Sequence, residues 1–308
     1  MKRILVIKLG ALGDFVHAFH ALAAIRAHHA GSHVTLLTTP PFRALCEMMP
    51  WVDAVRLDAR PPWWNLPVLR RTAETLRGFD FVYDLQTSRR SSRYFRLAGR
   101  PPWSGIAPGC SHPHANPGRD AMHTLERQRE QLRMAGIEAF PAPGLDWLVR
   151  HGASHGVMPP YTLLIPGSSG VGGVKRWPVD KYAHLAALLA GKRLTPVVIG
   201  GVAEAALAAA ISRACPSAID LTGRTSIPDI AALAGGAELV IGNDTGPLQL
   251  AAKTGARTLA LFSAATVPAQ TAPRGPNGEW ATVIQERDLA DLPVERVLAA
   301  IHQASSSR

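Results

Sequence analysis

The residue types of the segment GALGD at 10–14 suit both close approach to a ligand and proton transfer. It follows an apolar run at 4–7 and precedes apolar residues at helical spacing. Glycines let a backbone turn tightly and approach a ligand, and a carboxylate at the end of a strand can act as a general base. The alternative interpretation is that Asp14 only caps the following helix.

A second segment, PGSSGVGGVKRWP at 166–178, combines hydroxyls, glycine amides and a Lys-Arg pair in one loop. These groups suit a pyrophosphate, although a surface loop of no function is the alternative. Arg176 follows Lys175 where the P-loop motif requires Ser or Thr, so the segment is not a P-loop.

A third segment, GNDTGPLQ at 242–249, joins an apolar run to a helical pattern and has Pro247 in the first turn. Unpaired amides at such a helix start can hold a phosphate oxygen. Asp244 is either part of this site or only the helix cap.

Strands and helices alternate on both sides of the small, polar stretch HGASHGVMPP at 151–160, which indicates a linker. Strands are predicted at 3–8, 33–38, 54–57, 79–85, 161–165, 195–199, 218–221, 238–241 and 258–262. Helices are predicted at 14–30, 42–49, 68–77, 121–135, 179–190, 204–213, 227–234, 246–253 and 293–303. Residues 100–119 are rich in Pro, Gly and His and are predicted to form a loop.

This alternation predicts an α/β protein with two doubly wound, Rossmann-like domains, residues 1–155 and 156–308, that face a central cleft. Ligands of such sheets bind at the carboxyl ends of the strands. The three segments described above all stand at such ends.

The positive charge is concentrated in the first half of the chain. Residues 1–150 hold 20 Lys and Arg against 12 Asp and Glu, whereas residues 151–308 hold 13 against 11. Arginine, which provides 27 of the 33 basic residues, has a planar fork that suits phosphate and carboxylate. We therefore expect an anionic partner for the first half, and since no nucleic-acid-binding motif is recognisable, we do not expect a nucleic acid.

Several other classes of protein are disfavoured. No uncharged apolar run reaches the roughly 18 residues of a membrane span, and Lys8, Asp14, His17 and His20 interrupt the start of the chain too often for a signal peptide. Three widely spaced cysteines indicate reduced thiols. The histidines have few acidic neighbours and no DxD sequence occurs, so we expect no metal and no cofactor.

Seven segments, in this order, resemble the heptosyltransferases of glycosyltransferase family 9. They are KLGALGD at 8–14, VYDLQTSRRS at 82–91, HTLERQ at 123–128, PGSS…KRWP at 166–178, IGGVAE at 199–204, LTGRTSI at 221–227 and GNDTGPLQLAA at 242–252. Together they extend over almost the whole chain.

The resemblance implies a GT-B fold, with the first domain binding the acceptor, the second binding the nucleotide sugar, and a terminal helix that can return to the first domain. It implies transfer with inversion and without a metal, from an ADP-heptose to the lipopolysaccharide core or a related surface glycan. It also implies a cytoplasmic protein, with peripheral contact to the cytoplasmic face of the inner membrane.

Carried over onto matching positions, the resemblance makes Asp14 the base that deprotonates the acceptor hydroxyl. It places the donor near the following residues: Gly13, Ser168, Ser169, Lys175, Glu204, Thr225, Asp244, Thr245, Gly246 and Gln249. Among these, Thr225 falls near the expected adenine position and Glu204 is a candidate for the ribose. Gln249 stands where the family commonly has His, and glutamine cannot become cationic.

The resemblance implies an acceptor that carries carboxylates and phosphates. Arg89, Arg90 and Arg93 follow a predicted strand end, and on a helix Arg89, Arg93 and Arg96 share one face. We predict that Arg89, Arg90 and Arg93 contact the acceptor or an anionic membrane; the alternative is a solvated helix face.

Two other functions remain open from the sequence. One is a nucleotide-sugar epimerase or hydrolase of the same architecture. The other is a protein that binds a nucleotide sugar without catalysis, in which Asp14 is only a cap.

Overall fold

The computed structural model describes residues 1–60, 62, 64–168 and 175–303. The chain divides into two compact units, Met1–Pro143 and Gly144–Arg308. This division falls before the predicted linker, because the linker is tied to the second unit: the Ala153 amide donates to the Asp229 carboxylate at 2.7 Å.

The first unit is built on a six-stranded parallel sheet in the order β3-β2-β1-β4-β5-β6. Its strands are β1 (Arg3–Ile7), β2 (His33–Thr38), β3 (Ala54–Leu57), β4 (Phe81–Asp84), β5 (Trp103–Gly105) and β6 (His112–Pro113). Its helices are α1 (Leu12–His28), α2 (Arg43–Glu47), α3 (Leu66–Leu76), α4 (Arg89–Leu97) and α5 (Thr124–Arg133).

The second unit contains a second six-stranded parallel sheet, in the order β12-β11-β10-β7-β8-β9. Its strands are β7 (Tyr161–Ile165), β8 (Thr195–Val198), β9 (Ile219–Asp220), β10 (Leu239–Asn243), β11 (Thr258–Phe262) and β12 (Thr282–Gln285). Its helices are α6 (Asp146–Val149), α7 (Val179–Gly191), α8 (Ala205–Ala214), α9 (Ile227–Gly236), α10 (Gly246–Lys253), α11 (Pro268–Thr271) and α12 (Val294–Gln303).

Both sheets have the same topology, since each starts from a central strand and is extended first to one side and then to the other. The strand order reverses between β1 and β4 in the first unit and between β7 and β10 in the second. Ligands of open α/β sheets bind at the carboxyl ends of the strands at such a switch point. The fold thus selects the loops after these four strands as candidate sites.

Continuous burial of the central strands explains why their sequences are apolar runs without alternation. All five residues of β7 and of β11 are buried, as are four of the five residues of β1. A parallel sheet covered on both faces by helices produces this pattern. The terminal helix α12 buries Val294 and Val297 in the core of the second unit, together with residues of α7.

Residues 100–119, which the sequence predicts to be a loop, contain β5 and β6. These strands are three and two residues long, and their Gly and Pro residues conceal them from pattern analysis. The strand β12 and the short helices α6 and α11 were also not predicted.

Candidate functional site

The loop after β1 is held by side chains from three neighbouring segments. The Leu9 amide donates to Gln86 Oε1 at 2.8 Å, and the Leu9 carbonyl accepts from Thr39 Oγ1 at 2.9 Å and from Arg60 Nη2 at 3.0 Å. Gly10 has a φ of +116°, and a Cβ there would lie 2.5 Å from Phe42 Cε2. Position 10 therefore requires glycine, and the loop is held in place at the carboxyl end of β1.

Asp14 lies in the first turn of α1 and its side chain is exposed. Ala11 occupies the N-cap position without a side-chain hydrogen bond, so Asp14 does not serve as the N-cap. A carboxylate in the first turn interacts favourably with the helix dipole. Its exposure leaves it accessible to an acceptor hydroxyl.

Two cations lie within electrostatic reach of Asp14. Lys8 is 3% exposed, and its Nζ donates to the Leu85 carbonyl at 3.4 Å. Burial lowers the pKa of Lys8, while the charges of Asp14 and Asp84 act to raise it. Burial lowers the pKa of Arg127 on α5 as well, and Asp14 opposes that change. Two basic side chains therefore lie close enough to the base candidate for their charges to interact with it.

The segment VYDLQTSRRS connects β4 to α4 beside that loop. Asp84 is fully buried and its carboxylate accepts from the Gln86 and Thr87 amides at 3.1 Å and 3.0 Å. Burial raises the pKa of Asp84 to about 6, against the opposing effect of these hydrogen bonds. Asp84 shapes the turn that points Gln86 at Leu9.

In the second unit, Asn243 at the end of β10 binds the loop after β7. Its Nδ2 donates to the carbonyls of Pro166 and Gly167 at 2.8 Å and 3.2 Å, and its Oδ1 accepts from the Trp177 amide at 3.0 Å. Asn243 is fully buried. One side chain therefore fixes both ends of the 166–178 loop against β10.

The charged residues of that loop lie next to groups from the loops after β8 and β10. Arg176 donates to the Ser168 carbonyl at 3.0 Å and lies 3.8 Å from Glu204 Oε1. The positive charge of Lys175 acts to lower the pKa of Asp244. Ser169, a predicted donor contact, lies outside the described residues.

Glu204 and Thr225 occupy loops at the same end of the sheet. Glu204 Oε2 accepts from the Gly201 amide at 2.8 Å, and a Cβ on Gly167 would meet the Glu204 side chain at 2.8 Å. Thr225 is partly buried and directly precedes Ser226, the N-cap of α9. The Gly223 amide joins its loop to Gly200 at 2.8 Å.

At the start of α10, Thr245 rather than Asp244 is the N-cap residue, so the cap interpretation of Asp244 is wrong. Burial raises the pKa of Asp244, opposed by Lys175 and the side chains of Thr266 and Gln249. The Thr245 hydroxyl makes no cap bond, and within the described ranges it is buried without a hydrogen-bond partner. Gly246 begins the helix, and the backbone amides at a helix start can bind an anion.

The arginines of α4 separate into two groups. Arg89, Arg93 and Arg96 share one face of α4 and line a cavity of about 400 Å³, whose other lining residues are Ser92, Phe95, Ile106 and Pro108. Arg90 does not line it: its Nη1 donates to the Tyr94 hydroxyl at 3.2 Å, which in turn donates to Asp58 at 2.6 Å.

Sequence reasoning missed the supporting residues Lys8, Gln86, Arg127 and Asn243. The segments that contain them were recognised, but their partners are distant in sequence. Across the described ranges, no three His, Cys, Asp or Glu side chains are grouped so that they could hold a metal ion. No helix of the described chain is long and apolar enough to cross a bilayer.

The chain is similar to known glycosyltransferases over its whole length. It is 27% identical over 282 residues to lipopolysaccharide heptosyltransferase 1 of Pseudomonas aeruginosa, covering 84% of this chain and 78% of the relative. The family 9 glycosyltransferase structure from Veillonella parvula superposes with a TM-score of 0.82 at 20% identity, covering 100% of this chain and 98% of that one. E. coli heptosyltransferase WaaC with ADP-2-deoxy-2-fluoro heptose gives 0.76 at 20% identity, covering 98% and 99%.

The two structures establish the fold, which is that of the GT-B heptosyltransferases. The family model described as glycosyltransferase family 9 (heptosyltransferase) matches residues 69–300, which include the loops after β4, β7, β8 and β10. The match extends over well more than half of the chain. The chain therefore belongs to glycosyltransferase family 9 and is a glycosyltransferase.

Proposed function

We propose that this enzyme transfers a heptose-type sugar from an ADP-sugar to a lipopolysaccharide core or a related surface glycan. The observation that carries the reaction type is Asp14, an exposed carboxylate in the first turn of α1 that is not the helix N-cap. The similarity to lipopolysaccharide heptosyltransferase 1 and to a structure with an ADP-heptose analogue supports the donor and acceptor classes.

In this proposal Asp14 accepts the proton of the acceptor hydroxyl while that oxygen attacks the anomeric carbon. The bond from the sugar to ADP breaks, and the configuration at the anomeric carbon inverts. No metal takes part, and the charge on the leaving diphosphate is met by protein groups.

The second unit, in this proposal, binds the donor. Lys175 provides a charge-assisted contact to the diphosphate, and the α10 amides at Thr245 and Gly246 bind a phosphate oxygen. Ser168 and Ser169 add hydroxyls, Glu204 and Thr225 lie toward the nucleoside, and Asp244 and Gln249 lie toward the transferred sugar. Gly13, which directly precedes Asp14 in α1, lets a donor group approach the backbone closely.

The first unit, in this proposal, binds the acceptor. Arg89 and Arg93 contact its anionic groups, because both are exposed on the cavity beside α4. Arg90 contributes indirectly by holding Tyr94. The same basic surface provides peripheral contact with an anionic membrane face, and the protein acts in the cytoplasm.

The test is incubation with ADP-heptose and a core acceptor, with and without EDTA. We expect glycosylated acceptor and ADP in equal amounts, an inverted linkage by NMR, and no loss with EDTA. Consumption of donor without acceptor would indicate hydrolysis or epimerisation. Binding of ADP-heptose without turnover under any of these conditions would contradict transfer.

A further inference from the structure

A cavity of about 330 Å³ lies in the second unit at the amino-terminal ends of β11 and β12. Thr258 and Thr282, the first residues of these strands, contribute to its lining, together with the turn before β11 and a hairpin at 274–280. The loops proposed to bind the donor follow the carboxyl ends of strands in the same parallel sheet. The cavity therefore lies at the opposite ends of the strands, and its described lining residues include none that we assign to transfer.

The hairpin at 274–280 forms one wall of this cavity and is held in a fixed position. The Gly275 amide donates to the Glu279 carbonyl at 2.8 Å, and the Gly278 amide donates to the Gly275 carbonyl at 3.1 Å. Lys253 on α10 is 1% exposed, and its Nζ donates to the same Gly275 carbonyl at 2.8 Å. A buried cation thus ties the hairpin to α10, so the cavity wall is formed before any ligand binds.

Trp280 provides an exposed aromatic ring in the lining of the cavity, with 53% of the residue accessible. The Arg274 guanidinium lies over the ring, with Cζ 3.3 Å from the ring centroid, and its Nη1 donates to the Gly278 carbonyl at 2.6 Å. Since the guanidinium covers one face of the indole, the exposed surface belongs to the ring edges and the other face. An aromatic face carries partial negative charge and packs against the C–H groups of a ligand.

Polar groups of opposite charge line the cavity with the ring. Glu279 is exposed and its Oε2 accepts from the Asn277 amide at 3.0 Å, but a carboxylate has about four lone-pair sites and can accept further hydrogen bonds. Arg257 is partly buried and is anchored by a hydrogen bond from Nη2 to the Ile301 carbonyl. Its guanidinium carries several N–H donors. Thr282 is exposed and adds a hydroxyl.

This combination selects a neutral ligand with both a polar and an apolar side. The carboxylate and the guanidinium offset each other in charge, so the lining favours neither an anion nor a cation. A pyranose ring has hydroxyls that can donate to a carboxylate and accept from a guanidinium, and it has a C–H face that can pack on an indole. A flat aromatic ligand would stack equally well but would offer fewer groups to the two charged side chains.

We propose that this cavity is a second saccharide-binding site, in which Trp280 packs against one pyranose ring and Glu279 and Arg257 bind its hydroxyls. The site is separate from the proposed donor and acceptor sites. The inference does not depend on the proposed reaction, because binding at the cavity can be measured without transfer.

The experiment is saturation-transfer NMR titration of the unaltered enzyme with the methyl glycosides of glucose, galactose, mannose and heptose, in the presence of excess ADP. We expect at least one glycoside to bind with a millimolar Kd, and Trp280→Ala to weaken that binding by about tenfold or more. Trp64→Ala is the matched control, since Trp64 is 83% exposed in the first unit, and it should leave binding unchanged. The inference is overturned if no glycoside binds, or if the two tryptophan variants behave alike.

Two further variants keep the test decisive if Trp280→Ala does not fold. Trp280→Phe retains an aromatic ring and should retain most of the binding. Glu279→Gln keeps the size of the side chain but removes its charge, and should weaken binding by about fivefold. Full binding by Glu279→Gln would remove the carboxylate from the site and overturn the inference.

Adenosine serves as the competing ligand, because a nucleobase could also stack on Trp280. We expect it not to displace the glycoside. Displacement that depends on Trp280 would show that the cavity takes a flat aromatic ligand and would overturn the saccharide assignment. The donor KM of Trp280→Ala should equal that of the unaltered enzyme, and a raised donor KM would contradict the separation of the two sites.

Discussion

The loops at the switch points of the two sheets have the same place in the topology but different chemistry. The loop after β1 is held by Gln86, Thr39 and Arg60 and leads into α1, whose first turn presents the exposed carboxylate of Asp14. The loops after β7 and β10 hold each other through Asn243 and enclose buried polar groups. The loop after β1 and the start of α1 suit proton transfer to or from a partner that arrives from solution. The loops after β7 and β10 suit recognition of a polar ligand.

The difference shows how a repeated topology acquires two tasks. The fold fixes where ligands bind, and the residues at that edge decide which ligands they are. An exposed acid can meet a hydroxyl that arrives from solution. Buried hydroxyls and amides have lost their hydrogen bonds to water. A polar ligand can pair with them in place of that water.

The largest expected effect comes from removing the carboxylate of Asp14 in the first unit. Asp14→Asn keeps the shape of the side chain but cannot accept the proton, so we expect kcat to fall by about 10²–10⁴-fold. Donor affinity measured by calorimetry should stay nearly unchanged, because Asp14 is proposed to act on the acceptor hydroxyl and not to bind the donor. Glu126→Gln, a partly buried acid on α5, is the matched control and should keep kcat near that of the unaltered enzyme. Turnover of Asp14→Asn at the control level would contradict the role of Asp14 as base.

The next largest effect concerns the positive charge of Lys175, which we propose contacts the diphosphate of the donor. Lys175→Ala should weaken ADP-heptose binding by roughly 1.5–3 kcal/mol, the range for hydrogen bonds to charged groups. Arg176→Ala provides the contrast, because Arg176 is already engaged with Ser168 and Glu204. If Arg176→Ala weakens binding and Lys175→Ala does not, the roles of these two cations must be exchanged.

Replacing Asn243 tests whether the loop after β7 is held in place by the end of β10. Asn243→Ala leaves the Pro166 and Gly167 carbonyls and the Trp177 amide without this partner, so we expect about 1–3 kcal/mol less stability toward urea. The donor KM should rise while kcat for bound donor changes little. Gln86→Ala makes the matching change at the first edge and should lower kcat more than it raises the donor KM. Identical kinetic effects of the two variants would remove the proposed difference between the edges.

The sequence allowed the α/β architecture to be predicted because buried parallel strands are apolar runs followed by glycine loops. The bounds of β2, β3, β7, β11 and α10 were predicted to the residue. The short strands β5 and β6 could not be predicted, since two or three residues have no usable period. The sequence also could not show that Gln86 and Asn243 hold neighbouring loops by hydrogen bonds. Their partners are distant in sequence and come close only when the strands pair in the sheet.

Position 249 shows a second limit of sequence reasoning. The resemblance to family 9 implies that glutamine stands here where histidine is common, but it does not tell which groups the amide contacts. That depends on the Thr271 carbonyl, which α11 brings to 2.6 Å from Nε2. Helix α11 was not predicted at all, so this hydrogen bond could not be predicted from the sequence.

The smallest expected effect concerns the basic face of α4 in the first unit. Arg89 and Arg93 are exposed and line the cavity beside α4, whereas Arg90 is bound to Tyr94. Combined replacement of Arg89 and Arg93 by alanine should raise the acceptor KM several-fold at low salt and leave the donor KM unchanged. The effect should shrink as salt rises, since exposed charges are screened over about 8–10 Å at physiological ionic strength.

Two controls sharpen this last test. Arg213→Ala removes an exposed arginine of the second unit and should leave the acceptor KM unchanged at every salt concentration. Arg90→Ala should act mainly on stability, because it loosens the Tyr94–Asp58 hydrogen bond rather than a solvent-exposed charge. If the Arg89 and Arg93 double variant behaves like Arg213→Ala, this face of α4 is only solvated. The acceptor must then be bound elsewhere on the first unit, and the basic segment between Arg56 and Arg71 is the next place to test.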